Sequence, residues 1–414
     1  MKINEVGKIT GLSKKAIRYY EEQGLLSVGR SENDYRDYDD ACVERLCKIR
    51  RLRELGIPIA DIRLLTDNLI TEPELLKRWL SELDAQQNDA GEKIELCRAY
   101  LRDGIPQTKE NDEFIECEER DDLQPKALGI DIGTTTISIS LTDLHGNATR
   151  VYAIRNDTEI VTDKKDEHMQ DAGKIMEKVS RIVDSFLDIY PSVAYIGLAG
   201  QMHGIVYLNA DREAVSPLYT WQDGRAGREG GALLDEAERK TGYRPAAGYG
   251  LATHLYLQRH GSVPKDAAVL CTIMDYAAVR MCNVPPLLHV SNAASLGFFK
   301  EETASFDTEA LQTMGMDLSL LPQVTQDSVM VGSYRGVPVC VALGDNQAAF
   351  FGSVREEKNS LLVNYGTGSQ ISMVSDLTRL PTGWERRPYI DGSYIISGSA
   401  LCGGRAYAAL EKFF

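Results

Sequence analysis

Apolar and polar residues alternate at Leu128, Ile130 and Ile132, and again at Ile137, Ile139 and Leu141. This is the period-2 signature of two half-buried strands joined by a tight turn. The stretch Leu361 to Asp376 repeats the design, with an Asp ten residues after the first turn Gly in each copy. Two such hairpins far apart in sequence predict two related lobes gripping one phosphate chain from opposite sides. Around them, a helical period at Lys174 to Ile189 alternates with short apolar runs at Tyr195 to Ala199 and Val337 to Leu343, the pattern of an α/β fold. Upstream, between Met1 and Leu69, helical spacing dominates. Asn4 is placed to cap a first helix that turns Val6 and Ile9 inward; Gly11 ends it, and Ser13 caps a second that runs to Gly24. Asp39 caps a third, with Val43, Leu46, Ile49, Leu52 and Leu55 on one face and Gly56 closing it. Glu72 to Leu101 reads as a long amphipathic helix with a polar waist at Gln86 to Gly91, and Pro106 to Pro125 as an acid-rich linker.

Composition refines this division. The 414 residues carry 46 basic and 61 acidic side chains, a net charge of −15. Residues 1–69 hold 13 basic and 12 acidic side chains, leaving 33 and 49 for the rest. A near-neutral head therefore precedes an acidic body, and the molecule as a whole is not built to coat nucleic acid. The eight Cys include no C-x-x-C pair and no His spacing suited to zinc, and read as reduced cytoplasmic thiols. No basic-then-apolar leader opens the chain and no run approaches the ~18 apolar residues of a membrane span, so neither a signal peptide nor a span is expected.

The turn Gly133-Thr134-Thr135-Thr136 suits a phosphate: glycine permits close backbone approach, exposed N–H groups point inward and three hydroxyls add uncharged donors. Asp131, just before it, is placed to hold a hydrated Mg²⁺ ion; a plain hairpin is the alternative. The second turn offers Gly366, Thr367 and Gly368. Phosphoryl transfer to an alcohol also needs a base, and Asp345 follows an apolar run and a Gly that would deliver it to a cleft. Capping the next helix is its other possible use.

Five strings carry a family resemblance: DIGTTT, GQMHG from Gly200 to Gly204, WQDGR from Trp221 to Arg225, LGDNQAAF from Leu343 to Phe350, and NYGTGSQIS from Asn364 to Ser372. Together they resemble the FGGY family of carbohydrate kinases, nearest its sedoheptulokinase and xylulokinase branch, over about Ala127 to Phe414. The resemblance implies an α/β kinase module of the actin-like ATPase type that uses ATP and Mg²⁺ to phosphorylate a ketose. It implies that Asp345 is the base, that Asn346 holds a neighbouring hydroxyl, and that Gln201, Met202 and His203 line the sugar site. Trp221 would cover a sugar face while Asp223 and Arg225 bind hydroxyls, or Arg225 pairs Asp223 as scaffold. Relatives continue beyond the position of Phe414 with an Asp-Gly-Gly-type segment that walls the adenine. The second lobe is therefore expected to be incomplete, with strands beginning at Leu361 and Tyr394 that leave edges without neighbours, and ATP turnover to be poor.

In the head, SKKAIRYYEEQGLL, DYRDYDD and LRELGIPIADIRLL together resemble the MerR family of transcriptional regulators. Asp34 stands where that family usually has glycine in the wing. The resemblance implies an all-α winged helix-turn-helix domain in which Lys14, Lys15, Arg18 and Tyr19, with Arg36 and Tyr38 of the wing, meet DNA. It also implies an antiparallel dimerisation helix, and hence a homodimer on a palindromic promoter site with RNA polymerase nearby. Cys97 and Cys117 are the only cysteines close to that helix, and no metal site is read from them. The expected domains are the DNA-binding head at 1–69, the dimerisation helix at 70–104, an acidic linker at 105–126, a first kinase lobe at 127–353 and the start of a second at 354–414. The reading is a regulator fused to a module that phosphorylates or senses a ketose such as sedoheptulose or xylulose; the alternative is a pseudo-kinase sugar sensor, against which intact Asp131, Thr134, Asp345 and Thr367 count.

Overall fold

The computed structural model describes residues 1–26, 28–30, 36–85, 98–102, 104, 125–144, 148–354, 356–365, 369–381 and 383–400. They fall into two compact units, 1–123 with 181–191, and 124–180 with 192–414.

In the first unit, α1 (Ile3–Thr10) ends at Gly11 with φ 72, and α2 (Lys14–Glu22) starts at Ser13, whose hydroxyl accepts the Ala16 N–H at 3.0 Å. Lys2, not Asn4, holds the N-cap of α1: the Glu5 carboxylate accepts the Lys2 N–H at 2.9 Å, and Asn4 lies inside the first turn. Ile9 is only half-buried, and Thr10 takes the inward position beside Val6. A two-stranded wing, β1 (Gly29–Arg30) with β2 (Arg36–Asp37), precedes α3 (Asp40–Glu54), which Asp39 caps by accepting the Cys42 N–H at 2.7 Å. The expected apolar face of α3 from Val43 to Leu55 is buried. Against it lie α4 (Ile59–Thr66) and α5 (Glu72–Ala85), where Trp79 donates its indole N–H to the Leu55 carbonyl at 3.0 Å. The polar waist at 86–91 and the linker at 105–124 lie outside the described residues.

The second unit opens with an antiparallel meander of β3 (Lys126–Ile132), β4 (Thr136–Asp143) and β5 (Ala148–Arg155). After α6 (Ala172–Ile189), β6 (Val193–Gly200) returns parallel to β3. Later elements are α7 (Ile273–Cys282), α8 (Val290–Ser295), β7 (Met330–Tyr334), β8 (Val337–Cys340), β9 (Leu343–Gly344) and α9 (Asp345–Ser353). The sheet runs β7-β8-β6-β3-β4-β5, with β9 also on β6. The single strand expected from Val337 to Leu343 is broken: β8 meets β6 at Val339 opposite Ile196, and β9 at Leu343 opposite Ala199. Between them the Val341 N–H turns away to the Val329 carbonyl at 2.8 Å.

A second sheet, in the order β10-β11-β13-β12, contains β10 (Leu362–Tyr365), β11 (Ser369–Val374), β12 (Trp384–Pro388) and β13 (Tyr394–Ala400). The expectation that strands at Leu361 and Tyr394 leave edges without neighbours fails for the second, which is central, while the first is an edge strand paired on one side. Strand β10 pairs with β11, and β13 has β11 on one side and β12 on the other. Phe350 of α9 packs into this sheet against Tyr389 and Ile395, meeting the Tyr389 ring edge-on at 5.7 Å. Full burial of such a side chain is worth about 1.5–3 kcal/mol, which fastens α9 to the second sheet.

Register positions everything that follows. Leu128, Ile130 and Ile132 point into the core, so Asp131 faces the other way. Ile132 lies opposite Gly200, and Gly200 opposite Gly344, so three parallel strands end at one level. A Cβ at Gly200 would come within 2.7 Å of the Ile132 carbonyl, and one at Gly344 within 2.6 Å of the Met202 sulfur. At Gly200 the obstacle is backbone and only glycine permits the approach, whereas at Gly344 the Met202 and Gln347 side chains would have to shift.

Candidate active site

The crevice beyond the carboxyl ends of parallel strands is where open α/β sheets bind ligands, and three segments meet there: the turn after β3, the turn after β6, and the first residue of α9. The first turn is held from behind. Asn156 donates its amide to the Gly133 carbonyl at 2.7 Å, and Gln170 donates to the Thr134 carbonyl at 2.8 Å. The Thr134 hydroxyl donates to Gln201 Oε1 at 3.2 Å and accepts the Trp221 indole N–H at 3.0 Å, while Gln201 donates to Gln170 Oε1 at 2.9 Å. The ring so formed fixes the turn and leaves Thr135 and Thr136 exposed. Two expectations are corrected here. The Gly133 N–H is used inside the turn, donating to the Thr136 carbonyl at 2.9 Å. Gln201 is buried and its amide serves the turn rather than a sugar.

Asp131 and Asp345 stand at the crevice floor. Burial pushes the Asp131 pKa up, and its Oδ1 is buried with no hydrogen-bond partner among the described residues. Asp345 is accessible from the crevice yet crowded by protein. Burial first, and the Asp131 charge second, push its pKa up to about 6. It is the first residue of α9 behind the N-cap Gly344, and the Asn346 backbone N–H beside its carboxylate offsets part of that rise. Gly366, Thr367 and Gly368 of the second turn lie outside the described residues.

His203 lines the other side. Its backbone has φ 72, its Nδ1–H donates to the Ser295 carbonyl at 2.6 Å, and its ring stacks on Tyr249 with centroids 4.6 Å apart. Burial, opposed by that carbonyl bond, lowers its pKa to about 4, so the ring is neutral and Nε2 is left as an acceptor. Met202 is buried against Gly344 and serves packing. Trp221 is 48% exposed and presents an open indole beside Thr134.

The Asp223–Arg225 alternative resolves towards scaffold. Arg225 donates through Nε at 2.6 Å and Nη2 at 2.8 Å to the Asp223 carboxylate, which also accepts the His168 N–H at 3.0 Å. Both are buried, and the guanidinium lies 4.5 Å over the Tyr219 ring. Asn346 is likewise corrected: it is buried, with its amide on Ser372 at 3.5 Å and its oxygen accepting from Ser397 at 3.3 Å, both in the second sheet. Residues that carried no sequence signal prove central, Gln170 and Asn156 behind the first turn and Tyr249 under His203. Ser295 could have been found, because Ser291, Asn292 and Ser295 interrupt an otherwise apolar stretch.

In the head, Lys14, Lys15, Arg18 and Tyr19 lie on the exposed face of α2 while Ala16, Ile17 and Tyr20 are buried. Arg36 of the wing is paired with Glu21 of α2 at 2.7 Å. Tyr38 is fully buried, so its ring belongs to the core of the head and not to a DNA-facing surface.

Residues 126–352 match the FGGY family of carbohydrate kinases, N-terminal domain, and residues 1–69 match the MerR HTH family regulatory protein. The chain is similar to the sedoheptulokinase of Mus musculus, 28% identical over 331 residues that make up 69% of this chain and 68% of that one. Its head is similar to the HTH-type transcriptional regulator CueR of Escherichia coli O6:H1, 43% identical over 75 residues, 18% of this chain and 55% of the relative. Among solved structures it is similar to the xylulose kinase of Rhodospirillum rubrum, with a TM-score of 0.61 and 18% identity over 70% of this chain. It spans 63% of that structure's length, and the likeness is one of fold.

Proposed function

The chain belongs to the FGGY family of carbohydrate kinases through residues 126–352, and from that premise we propose that it transfers a phosphoryl group from ATP to a ketose of the sedoheptulose or xylulose class and couples this to promoter binding by its head. The observation that carries the reading is the common level at which β3, β6 and β9 end, which gathers Asp131, His203 and Asp345 at one crevice. Asp345 takes the proton of the attacking hydroxyl: with a pKa near 6 it is ionised at neutral pH yet more basic than an ordinary carboxylate. His203 Nε2 accepts a hydrogen bond from a ketose hydroxyl, and the open Trp221 indole covers an apolar sugar face. Thr134 to Thr136, with Gly366 to Gly368, receive the phosphates. The orphaned Asp131 Oδ1 fits the water shell of a Mg²⁺ ion, which when bound neutralises phosphate charge.

For the head, the exposed row Lys14, Lys15, Arg18 and Tyr19 supports insertion of α2 into a major groove. Two copies joined through the helix that starts at Glu72 would read a palindromic site beside RNA polymerase. The cytoplasm is the proposed setting, where free thiols such as Cys42 and Cys271 persist. ADP release by the whole protein across a panel of ketoses tests the kinase reading. Ketose binding without ADP release would favour a sugar sensor, and the absence of both would reject the site. A footprint on the protein's own promoter tests the head: Arg18→Ala is expected to weaken it at every sequence and lower the salt slope by about 1.

A further inference from the structure

The most informative buried cluster lies behind the crevice. Where the strand breaks between β8 and β9, the Ala342 carbonyl leaves the ladder and must find a donor elsewhere. Asn292, which is fully buried on α8, supplies one, with Nδ2 at 3.0 Å from that oxygen. Its neighbour Ser291 accepts the Gly344 N–H at 3.4 Å. The segment that immediately precedes Asp345 is thus tethered at two of its three residues to the first turn of one short helix.

An asparagine amide can face either way, and with its oxygen towards Ala342 the contact would be repulsive. Asp275 of α7, also buried, selects the orientation: its Oδ2 lies 3.5 Å from the same Asn292 Nδ2, so two acceptors flank one nitrogen. Thr272, the N-cap of α7, holds Asp275 in turn by donating to Oδ2 at 2.5 Å. The other end of α8 serves the acceptor side. The Ser295 hydroxyl accepts the His203 N–H at 3.2 Å while donating to the Asn292 carbonyl at 2.7 Å, and the Ser295 carbonyl takes the imidazole.

We infer that Asn292, oriented by Asp275, is a positioning residue for Asp345, and that α8 sets the two sides of the site separately, the carboxylate from its first turn and His203 from its last. This rests on the reading of the crevice as a ketose kinase site and deepens it. Asn292→Ala removes the Ala342 tether and lets the Asp345 carboxylate drift from its attack geometry, which costs kcat. Ser295→Ala loosens His203, which costs ketose KM.

The test uses the whole chain with two readouts, steady-state ketose phosphorylation and peptide-resolved hydrogen exchange. Asn292→Ala is expected to lower kcat by about 10- to 100-fold with ketose KM within about twofold, and to speed exchange over 342–346 but not over 126–132. Asp275→Asn, which keeps the volume, should show the same signature at about threefold. Ser295→Ala should raise ketose KM several-fold with a smaller change in kcat. Parallel loss of kcat and affinity in all three variants, as a general loosening would give, overturns the inference, and so does unchanged exchange at 342–346. If Asn292→Ala does not fold, the opposed signatures of Asp275→Asn and Ser295→Ala decide the matter. A wild-type protein without turnover in which Asn292→Ala still speeds exchange at 342–346 upholds the tether and removes the kinase reading instead.

Discussion

Asp223 and Asp345 both sit in short polar strings after buried strands, and their surroundings give them opposite uses. The Asp223 carboxylate is completed by Nε and Nη2 of Arg225 and by the His168 and Arg225 backbone N–H groups, with both side chains buried. A carboxylate so satisfied has no capacity left for a substrate; it contributes shape. Asp345, open to the crevice but crowded by protein, sits beside Asp131, whose Oδ1 is buried without a hydrogen-bond partner among the described residues, and its pKa is pushed up to about 6. Leaving buried groups short of partners costs stability, and such cost concentrates where chemistry is done. The contrast separates scaffold from reactive group by a physical criterion that residue type does not provide.

The sharpest way to break the contrast is at Asp345 itself. Asp345→Asn keeps the hydrogen-bonding shape but cannot take a proton, so phosphorylation should fall by about 10²- to 10⁴-fold with ketose binding retained; coupled ADP assay and calorimetry read the two separately. The opposite change strands Asp223: Arg225→Met leaves a buried, unpaired carboxylate, and a loss of about 3–5 kcal/mol is expected in urea unfolding, with turnover per folded molecule little altered. An Asp345→Asn protein that still turns over, or an Arg225→Met protein that keeps its stability, would exchange the two assignments.

Acidity offers a milder probe. The base must be ionised, so kcat/KM should rise with pH through about 6 and level off above it. Stability runs the other way: a carboxylate whose folded pKa is raised stabilises the fold at low pH, and that contribution is lost as pH rises through about 6. Asp345→Asn should therefore melt above the wild type at pH 8, with the gap closing by pH 4. The smallest expected effect is at Trp221. Phenylalanine there keeps an aromatic face but loses the bond to Thr134, and a rise in ketose KM of only about two- to fivefold is expected in the same kinetic assay.

Much of this was legible in the sequence because it depends on local periodicity. The alternation around Leu128 to Leu141 fixes which face Asp131 occupies, and the caps at Ser13 and Asp39 follow from side chains that compete for backbone N–H groups. What failed to show was set by contacts distant in sequence. The amides of Gln201 and Asn346 are taken by Gln170, Ser372 and Ser397, and no local pattern announces those partners. The resemblance implies that Tyr38 meets DNA with Arg36, yet its ring is fully buried. The break at Val341 was hidden by an unbroken apolar run, since hydrophobicity records burial and not which backbone groups pair. The strings that carry the family resemblance do not include α8, whose first and last turns reach Ala342 and His203, far apart in sequence.

The fastening of α9 to the second sheet has a mechanical consequence. Its first residue is the crevice carboxylate, while Asn346, Gln347 and Phe350 bind Ser372, Pro388 and Tyr389 of the far layer. A helix of nine residues is a rigid arm about 13.5 Å long, so any displacement of that layer would be carried to the Asp345 carboxylate at the arm's tip. The tether from α8 meets the arm at that same end, so the carboxylate is held between one contact behind the first sheet and another in the second.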